Sequence, residues 1–192
     1  MAKLIIFDMG GVVCTGVFEF MDILTEQGLK VEHTALYREG LMERYSRGEM
    51  DEPEFWEEFN RIFGTGVISP RWGKTFRPVM SPEVTALIRR LSESHRVVCG
   101  TNTIEPHWKI HESRGDYSVF HRVYASHRIG LVKPDPEFWR HILREESFLP
   151  EDTLFVDDFP ENAAAAETLG IRSHLYREPR ELEAFLREHV PA

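Results

Sequence analysis

Four short loops contain the side chains whose types and spacing could do chemistry. They read FDMGGVV around Asp8, CGTNT around Thr101, GLVKPDP around Lys133, and FVDDFPEN around Asp157 and Asp158. A carboxylate can act as a nucleophile or hold a divalent cation, while a lysine or a hydroxyl beside backbone amides can hold anionic oxygens. Together these groups fit phosphoryl transfer, which needs a nucleophile, charge neutralisation and rigid positioning.

The segments that must position these loops alternate between apolar runs and helical stretches. Short apolar runs predict strands over residues 4–7, 96–99, 123–125, 153–156 and 173–176. Each of the four loops is expected to follow a strand. The sequences SPE and DPE, at residues 81–83 and 135–137, each combine an N-cap residue, a proline and a first-turn acid. This alternation predicts an α/β fold, a parallel sheet with helices on both faces, whose ligands bind outside the carboxyl ends of the strands.

The segment from residue 14 to residue 80 interrupts this alternation. It has helical periodicity, as in the run from Phe55 to Phe63, and no convincing strand. The stretch LMERYSRGEMDEPEFWEEF predicts one helix that ends near Gly48 and another that starts near Asp51. The sequence therefore predicts a core domain of residues 1–13 and 81–192 and a small inserted α-helical cap of residues 14–80.

Charge and composition exclude several classes of partner. The chain has 192 residues and a formal net charge of -9, which opposes binding to nucleic acid or to an anionic membrane. Its first apolar run is too short for a signal peptide or a membrane span. Cys14 and Cys99 form neither a CxxC pair nor a disulfide framework. These features predict a soluble, cytoplasmic protein with buried free thiols, and they indicate no particular oligomeric state.

Taken in order, with a helical insertion after the first, the four loops resemble the four motifs of the haloacid-dehalogenase superfamily over nearly the whole chain. The resemblance implies a Rossmann-like core and a magnesium-dependent phosphatase of a small phosphorylated metabolite. Asp8 would be the nucleophile that forms an aspartyl-phosphate, with Thr101 and Lys133 completing the catalytic set. The implied metal ligands are Asp8, the main-chain carbonyl of Gly10, Asp158 and, directly or through hydrogen bonds, Asp157. The implied substrate contacts are Met9, Gly10, Asn102 and His107, and Asn162 would orient the metal cluster.

Gly10 departs from the pattern of the superfamily's phosphatases, which usually carry a second aspartate at this position. That aspartate protonates the leaving alcohol and activates water, a contribution of about 100- to 10,000-fold in rate. The DxG-type first loop, the RGEMDEPEFW stretch and TNT followed by His107 are most similar to bacterial sugar-1-phosphate phosphatases. This similarity implies a substrate with a good leaving group, such as an anomeric sugar phosphate or an acyl phosphate. His107 is a candidate substitute acid.

Two other functions fit part of the pattern. A catalytically silent protein could use the same residues to hold metal and phosphate, as the glycine at position 10 suggests. A 2-haloacid dehalogenase would use Asp8 to displace halide from carbon. It needs no magnesium, so the Asp157-Asp158 pair argues against it.

Six residues of the insertion are candidates for choosing the substrate. They are Phe18, Phe20, Arg44, Tyr45, Arg47 and Trp56. The arginines would read a second anionic or hydroxyl-rich group, although each residue is equally typical of a helix core or a solvated helix face. Closure of the cap over the site is expected, with hinges near residues 13–16 and 79–81.

Overall fold

Five parallel strands form the central sheet of the computed structural model, which describes residues 3–17, 19–29 and 39–190. The strands of the chain are β1 (Leu4–Phe7), β2 (Cys14–Thr15), β3 (Val79–Met80), β4 (Arg96–Thr101), β5 (Arg122–Ala125), β6 (Thr153–Asp157) and β7 (Arg172–Leu175). The sheet order is β5-β4-β1-β6-β7, while β2 and β3 form a separate antiparallel pair. The predicted α/β fold with a parallel sheet is confirmed.

Helices connect these strands and also form the insertion after β2. They are α1 (Glu19–Glu26), α2 (Leu41–Ser46), α3 (Glu52–Phe63), α4 (Pro82–Leu91), α5 (Glu105–Arg114), α6 (Ser126–Ile129), α7 (Pro136–Glu146), α8 (Pro160–Glu167) and α9 (Pro179–His189), with short 3-10 turns at Asp116–Val119 and Pro150–Asp152. Both predicted N-caps form: the Ser81 side chain accepts from the Val84 N–H, and the Asp135 side chain accepts from the Glu137 N–H. Within the described ranges, no helix is both long and apolar enough to cross a membrane.

The side chains of β1 alternate between two apolar layers, because successive residues of a strand face opposite sides of the sheet. Ile5 and Phe7 belong to the layer that contains buried residues of α4 and α9. Leu4 and Ile6 belong to the layer that contains buried residues of α7. Helices therefore cover both faces, as predicted, and β1 lies at the centre of the core.

The register of the central strands brings three of the four loops to one edge of the sheet. Phe7 lies opposite Cys99 of β4 and Val156 of β6. Asp8, Thr101 and Asp157 follow these positions within two residues, so they share the carboxyl edge. Lys133 is the exception, because its loop follows helix α6. The expectation that each loop follows a strand is wrong for Lys133.

The strand predictions are wrong in several details. β5 begins one residue earlier than predicted, at Arg122, and β6 ends one residue later, at Asp157. β4 continues through Gly100 and Thr101, which pair with β5. A Cβ atom at Gly100 would lie 3.0 Å from Ile6 Cγ2, so this glycine provides room for packing rather than a turn. β7 begins one residue earlier than predicted and ends at Leu175. Finally, β2 and β3 lie within the segment that was expected to contain no strand, and two residues each are too few to give a periodic pattern.

The insertion packs around its own aromatic cluster. This cluster contains Phe20, Tyr45, Phe55, Trp56, Phe59 and Trp72. Ile104, from the loop after β4, packs against it. Helix α2 ends at Ser46, close to the predicted end near Gly48, and α3 begins after the N-cap Asp51. The division into a core of residues 1–13 and 81–192 and a cap of residues 14–80 stays a prediction.

The buried carboxylate of Glu19 joins the two segments that link the insertion to the sheet. Its Oε1 accepts hydrogen bonds from the Thr75 N–H at 2.7 Å and the Phe76 N–H at 2.9 Å. Its Oε2 accepts from the Gly73 N–H at 2.6 Å and lies 2.8 Å from His107 Nε2. Burial alone would raise the pKa of Glu19, but the bonds from His107, Gly73 and Thr75 outweigh it and lower this pKa to about 2.

Replacing Glu19 with glutamine should therefore destabilise the fold by about 2–3 kcal/mol at pH 7. An amide can present an oxygen to only one of the two donor groups, so its NH2 would face an N–H. The carboxylate's contribution is complete above about pH 4.5 and is lost as the pH falls towards about 2. Urea unfolding of the parent and Glu19→Gln at several pH values measures this difference. The exposed Glu26→Gln, on the same helix, is the control, and an equal effect of both variants would contradict the assignment.

Candidate active site

Asp8 stands at the end of the central strand, where three carboxylates meet. Its N–H donates to the Val156 carbonyl at 2.8 Å, so the backbone is held in the sheet register. The residue is only 7% exposed. One ligand atom each from Asp8, Asp157 and Asp158 lies within 4.8 Å of the others. The register of β1 and β6 thus creates a compact group of oxygen donors.

Lys133 connects two of these carboxylates. Its Nζ donates to Asp8 Oδ1 and to Asp157 Oδ2, each at 2.7 Å, and the side chain is buried. The main chain of Lys133 is held by the side chain of Asn102, which accepts from the Lys133 N–H at 2.9 Å and donates to its carbonyl at 2.8 Å. Asn102 therefore positions the lysine with its side chain, and its predicted contact with substrate stays a prediction.

The two adjacent aspartates at the end of β6 have different surroundings. Asp157 uses both carboxylate oxygens within the protein: Oδ2 accepts from Lys133, and Oδ1 accepts from the Phe159 N–H at 2.8 Å and from Asn162 Nδ2 at 3.0 Å. The buried Oδ1 of Asp158 has no hydrogen-bond partner among the residues that the structure describes. Since a buried polar atom without a partner is costly, Asp158 is the residue that lacks a cation or another donor.

Negative charge exceeds positive charge in this group, because three carboxylates face one ammonium. Burial raises the pKa of Asp8, Lys133 opposes this effect, and Asp157 and Asp158 add to it, so the pKa of Asp8 rises to about 7. Burial would lower the pKa of Lys133, but Asp157 and Asp8 outweigh it and raise this pKa. Burial and Asp157 also raise the pKa of Asp158. The excess of two negative charges matches one divalent cation bound by hard oxygen donors.

The remaining predicted residues occupy distinct surroundings. Thr101 is buried at the end of β4, on the edge that carries Asp8. Met9 packs its side chain into the core and its carbonyl accepts from the N–H groups of Val13 and Cys14, and its predicted contact with substrate stays a prediction. Gly10 forms an isolated β-bridge with Cys14. His107 is held by Glu19 and stacks on Phe76, with ring centroids 3.8 Å apart, so its imidazole has a structural role.

The five described candidates of the insertion have their own partners. Phe20, Tyr45 and Trp56 belong to its aromatic cluster, Arg44 bonds Glu58 at 2.8 Å, and Arg47 contacts the loop that carries Lys133. Phe18 lies outside the described residues. Sequence reasoning missed the hydrogen bonds that Glu19 accepts from the insertion, and it missed the two bonds by which the Asn102 side chain holds the main chain of Lys133. No local pattern marks either, because their partners are distant in the chain.

The fold and the site define an α/β enzyme with carboxylates at the edge of a parallel sheet. Comparison with known proteins agrees with this class. Residues 2–170 match the haloacid dehalogenase-like hydrolase family. The chain therefore belongs to this family of hydrolases. It is 30% identical to the sesquiterpene phosphatase astK of Aspergillus oryzae over 177 residues, 88% of this chain and 87% of that protein. It is 25% identical to the D-ribitol-5-phosphate phosphatase of Bacteroides thetaiotaomicron, over 90% of this chain and 91% of that one.

Solved structures show the same fold. A HAD-like family hydrolase from Porphyromonas gingivalis matches with a TM-score of 0.81 and 26% identity, over the whole of both chains. A HAD family enzyme from Bacteroides thetaiotaomicron, an aspartate-to-alanine variant in complex with magnesium and inorganic phosphate, matches with a TM-score of 0.74. Its identity is 22%, and the match covers 92% of this chain and 95% of that one.

Gly11 provides a direct test of the carboxylate cluster. It has φ +80, and an added Cβ atom would overlap the Asp158 carboxylate. Gly11→Ala should displace Asp158 and weaken Mg²⁺ binding by about 10- to 100-fold, measured by the Mg²⁺-induced rise in melting temperature. Gly64→Ala is the control, because this glycine also has a positive φ, +64, and an added Cβ atom would have no neighbour within 4 Å among the described residues. Equal Mg²⁺ responses of the two variants would show that Asp158 does not hold the ion.

Proposed function

We propose that this hydrolase is a magnesium-dependent phosphatase that removes a phosphoryl group from a small phosphorylated metabolite through an aspartyl-phosphate on Asp8. The observation that carries the proposal is the joint geometry of the buried group. The Lys133 ammonium lies 2.7 Å from both Asp8 and Asp157, and oxygen atoms of three carboxylates lie within 4.8 Å of one another. A nucleophile, a cation site and a fixed positive charge are the parts that phosphoryl transfer requires.

In the proposed first step, a carboxylate oxygen of Asp8 attacks phosphorus. An O–P bond forms while the bond between phosphorus and the leaving oxygen breaks, and the leaving oxygen takes a proton from water. In the second step, water attacks phosphorus of the aspartyl-phosphate, loses its proton to solvent, and releases inorganic phosphate and free Asp8. Lys133 would neutralise charge on the transferring group, and the Thr101 hydroxyl with the Asn102 amide would hold its oxygens.

The different surroundings of the paired aspartates support a division of their roles. Asp158, whose Oδ1 has no partner in the described ranges, would bind magnesium together with Asp8 and the Gly10 carbonyl. Asp157, whose oxygens are all engaged, would act through Lys133 and Asn162 rather than bind the ion directly. Bound magnesium would supply the positive charge that lets a carboxylate approach a phosphate dianion.

Gly10 favours substrates whose leaving groups need little help from an acid. Position 10 offers no side chain that could donate a proton, and the His107 imidazole is occupied by Glu19 at 2.8 Å. The named relatives add two classes of alkyl phosphate, whose poorer leaving groups should turn over more slowly without an acid at position 10. One is a sugar or polyol phosphate, as for the ribitol phosphatase, and the other is an isoprenoid phosphate, as for the sesquiterpene phosphatase.

Dehalogenase chemistry is less consistent with this site. Displacement of halide from carbon involves no phosphate dianion and gains nothing from a cation. The excess negative charge around Asp8 would then oppose activity, because a buried anionic cluster without a cation raises the pKa of the nucleophile.

Hydrolysis by the parent and by Asp8→Asn tests the proposal. The substrates are para-nitrophenyl phosphate, acetyl phosphate, glucose 1-phosphate, ribitol 5-phosphate and farnesyl phosphate, each with and without Mg²⁺. We expect activity that requires Mg²⁺ and falls by about 1,000-fold or more in Asp8→Asn, since that variant loses the nucleophile. Asp152→Asn is the control, because Asp152 pairs with Lys3 at 2.8 Å and precedes the opposite end of β6.

If the folded parent hydrolysed none of these substrates, the phosphatase proposal would be contradicted for them. Thermal stabilisation by Mg²⁺ with inorganic phosphate, again without turnover, would instead favour a protein that only binds metal and phosphate.

Gly10→Asp should extend the range of substrates. A carboxyl group at this position could protonate the leaving oxygen, a contribution of about 100- to 10,000-fold for alkyl phosphates and less for acetyl phosphate. Because the new Cβ would lie 3.3 Å from Val17 Cγ2, the change is also made with Val17→Ala. Steady-state kcat for ribitol 5-phosphate and acetyl phosphate measures the effect. Gly10→Asn matches the shape without the acid, and an equal gain in that variant would refute the explanation.

A further inference from the structure

We infer that Arg47 is a positioning residue for Lys133, acting from the insertion through the loop that carries the lysine. The inference about catalysis rests on the proposed function, whereas the effect on the loop does not. Arg47 follows helix α2, and Lys133 lies between helices α6 and α7. The contact therefore connects the insertion to the segment that supplies the site's positive charge.

The guanidinium of Arg47 contacts both ends of this loop. Its Nη1 donates to the Gly130 carbonyl at 3.2 Å, and its Nη2 lies 3.5 Å from Asp135 Oδ2. Glu43, one helical turn earlier, accepts from Nε and Nη2 at 3.2 and 3.1 Å. Glu43 thus orients the planar guanidinium, which uses its several donors to fix two points at once.

The loop is also anchored at the sheet. The Asn102 side chain bonds the N–H and the carbonyl of Lys133, and the Asp135 N–H donates to the Val132 carbonyl at 3.0 Å. The other oxygen of Asp135 accepts from the Glu137 N–H at 3.0 Å, at the start of α7. Asn102 therefore holds the middle of the loop, while Arg47 holds its two ends.

The main chain beside Arg47 also fits closely against the segment before the loop. Gly48 has φ +72, and a Cβ atom there would overlap the His127 carbonyl in α6. The insertion thus packs against α6 and is also hydrogen-bonded to the loop. Any movement that lifts the insertion from this position must break both bonds from Arg47 and free the two ends of the loop. Closure of the insertion and placement of Lys133 are coupled in this way.

Arg47→Ala, Arg47→Lys and Asp135→Asn test the inference, with Arg44→Ala as the matched control. Arg44 lies on helix α2, just before Arg47, and its guanidinium donates to Glu58 inside the insertion. Asparagine at position 135 can still cap α7. We expect Arg47→Ala to lower kcat for para-nitrophenyl phosphate by about 10- to 100-fold with little change in KM, because a small shift of a catalytic group costs that much. Arg47→Lys should recover part of the lost kcat. The double variant, Arg47→Ala with Asp135→Asn, should have a kcat no lower than that of Arg47→Ala alone.

Amide hydrogen exchange at Lys133 and Asp135 is a second readout that needs no substrate. Exchange should be faster in Arg47→Ala and Asp135→Asn than in the parent and in Arg44→Ala. A parent without turnover would refute the proposed function and leave the exchange result as the test of the loop. Unchanged exchange, with a higher KM for larger substrates only, would mean that Arg47 reads the substrate instead. Unchanged exchange and unchanged kinetics would also overturn the inference.

Discussion

The concentration of negative charge beside the end of β1 is the constraint on which the rest of the site depends. Three carboxylates at the edge of a buried sheet are unfavourable unless positive charge is brought to them. Lys133 supplies part of that charge through two bonds of 2.7 Å. Burial and the remaining excess of negative charge raise the pKa of Asp8, and a buried oxygen of Asp158 has no hydrogen-bond partner within the described part of the chain. A divalent cation satisfies both conditions.

The sheet positions some groups of this site, and a loop outside the sheet positions another. The sheet fixes Asp8 and Asp157 through strand register, which the fully buried side chains of β1 make rigid. Lys133 comes from a loop outside the sheet and needs separate support, from Asn102 on one side and Arg47 on the other. Glu19 also connects the insertion to the same region. Its carboxylate accepts a hydrogen bond from the Gly73 N–H, in the segment that leads back to the sheet, and lies within hydrogen-bond distance of His107. The sheet and the insertion thus both support the segment that carries the lysine.

Much of this arrangement could be predicted from the sequence, because it depends on local patterns. Asp8, Thr101 and Asp157 each end an apolar run, and parallel strands bring such ends together. The buried, free state of Cys14 and Cys99 also agrees with the prediction. Contacts between distant side chains could not be predicted. Glu19 meets residues more than 50 positions away, and nothing near His107 indicates that its imidazole pairs with that carboxylate.

A crystal structure of the protein with Mg²⁺ and trifluoroberyllate, a stable mimic of a phosphoryl group, is the most direct test of the central claim. We predict one magnesium ion between Asp8 and Asp158, with beryllium bonded to an oxygen of Asp8 and its fluorides facing Lys133 and Thr101. Asp157 should keep its bonds to Lys133 and Asn162. Magnesium or beryllium bound elsewhere, with Asp8 still paired to Lys133 alone, would contradict the role of Asp8 as nucleophile.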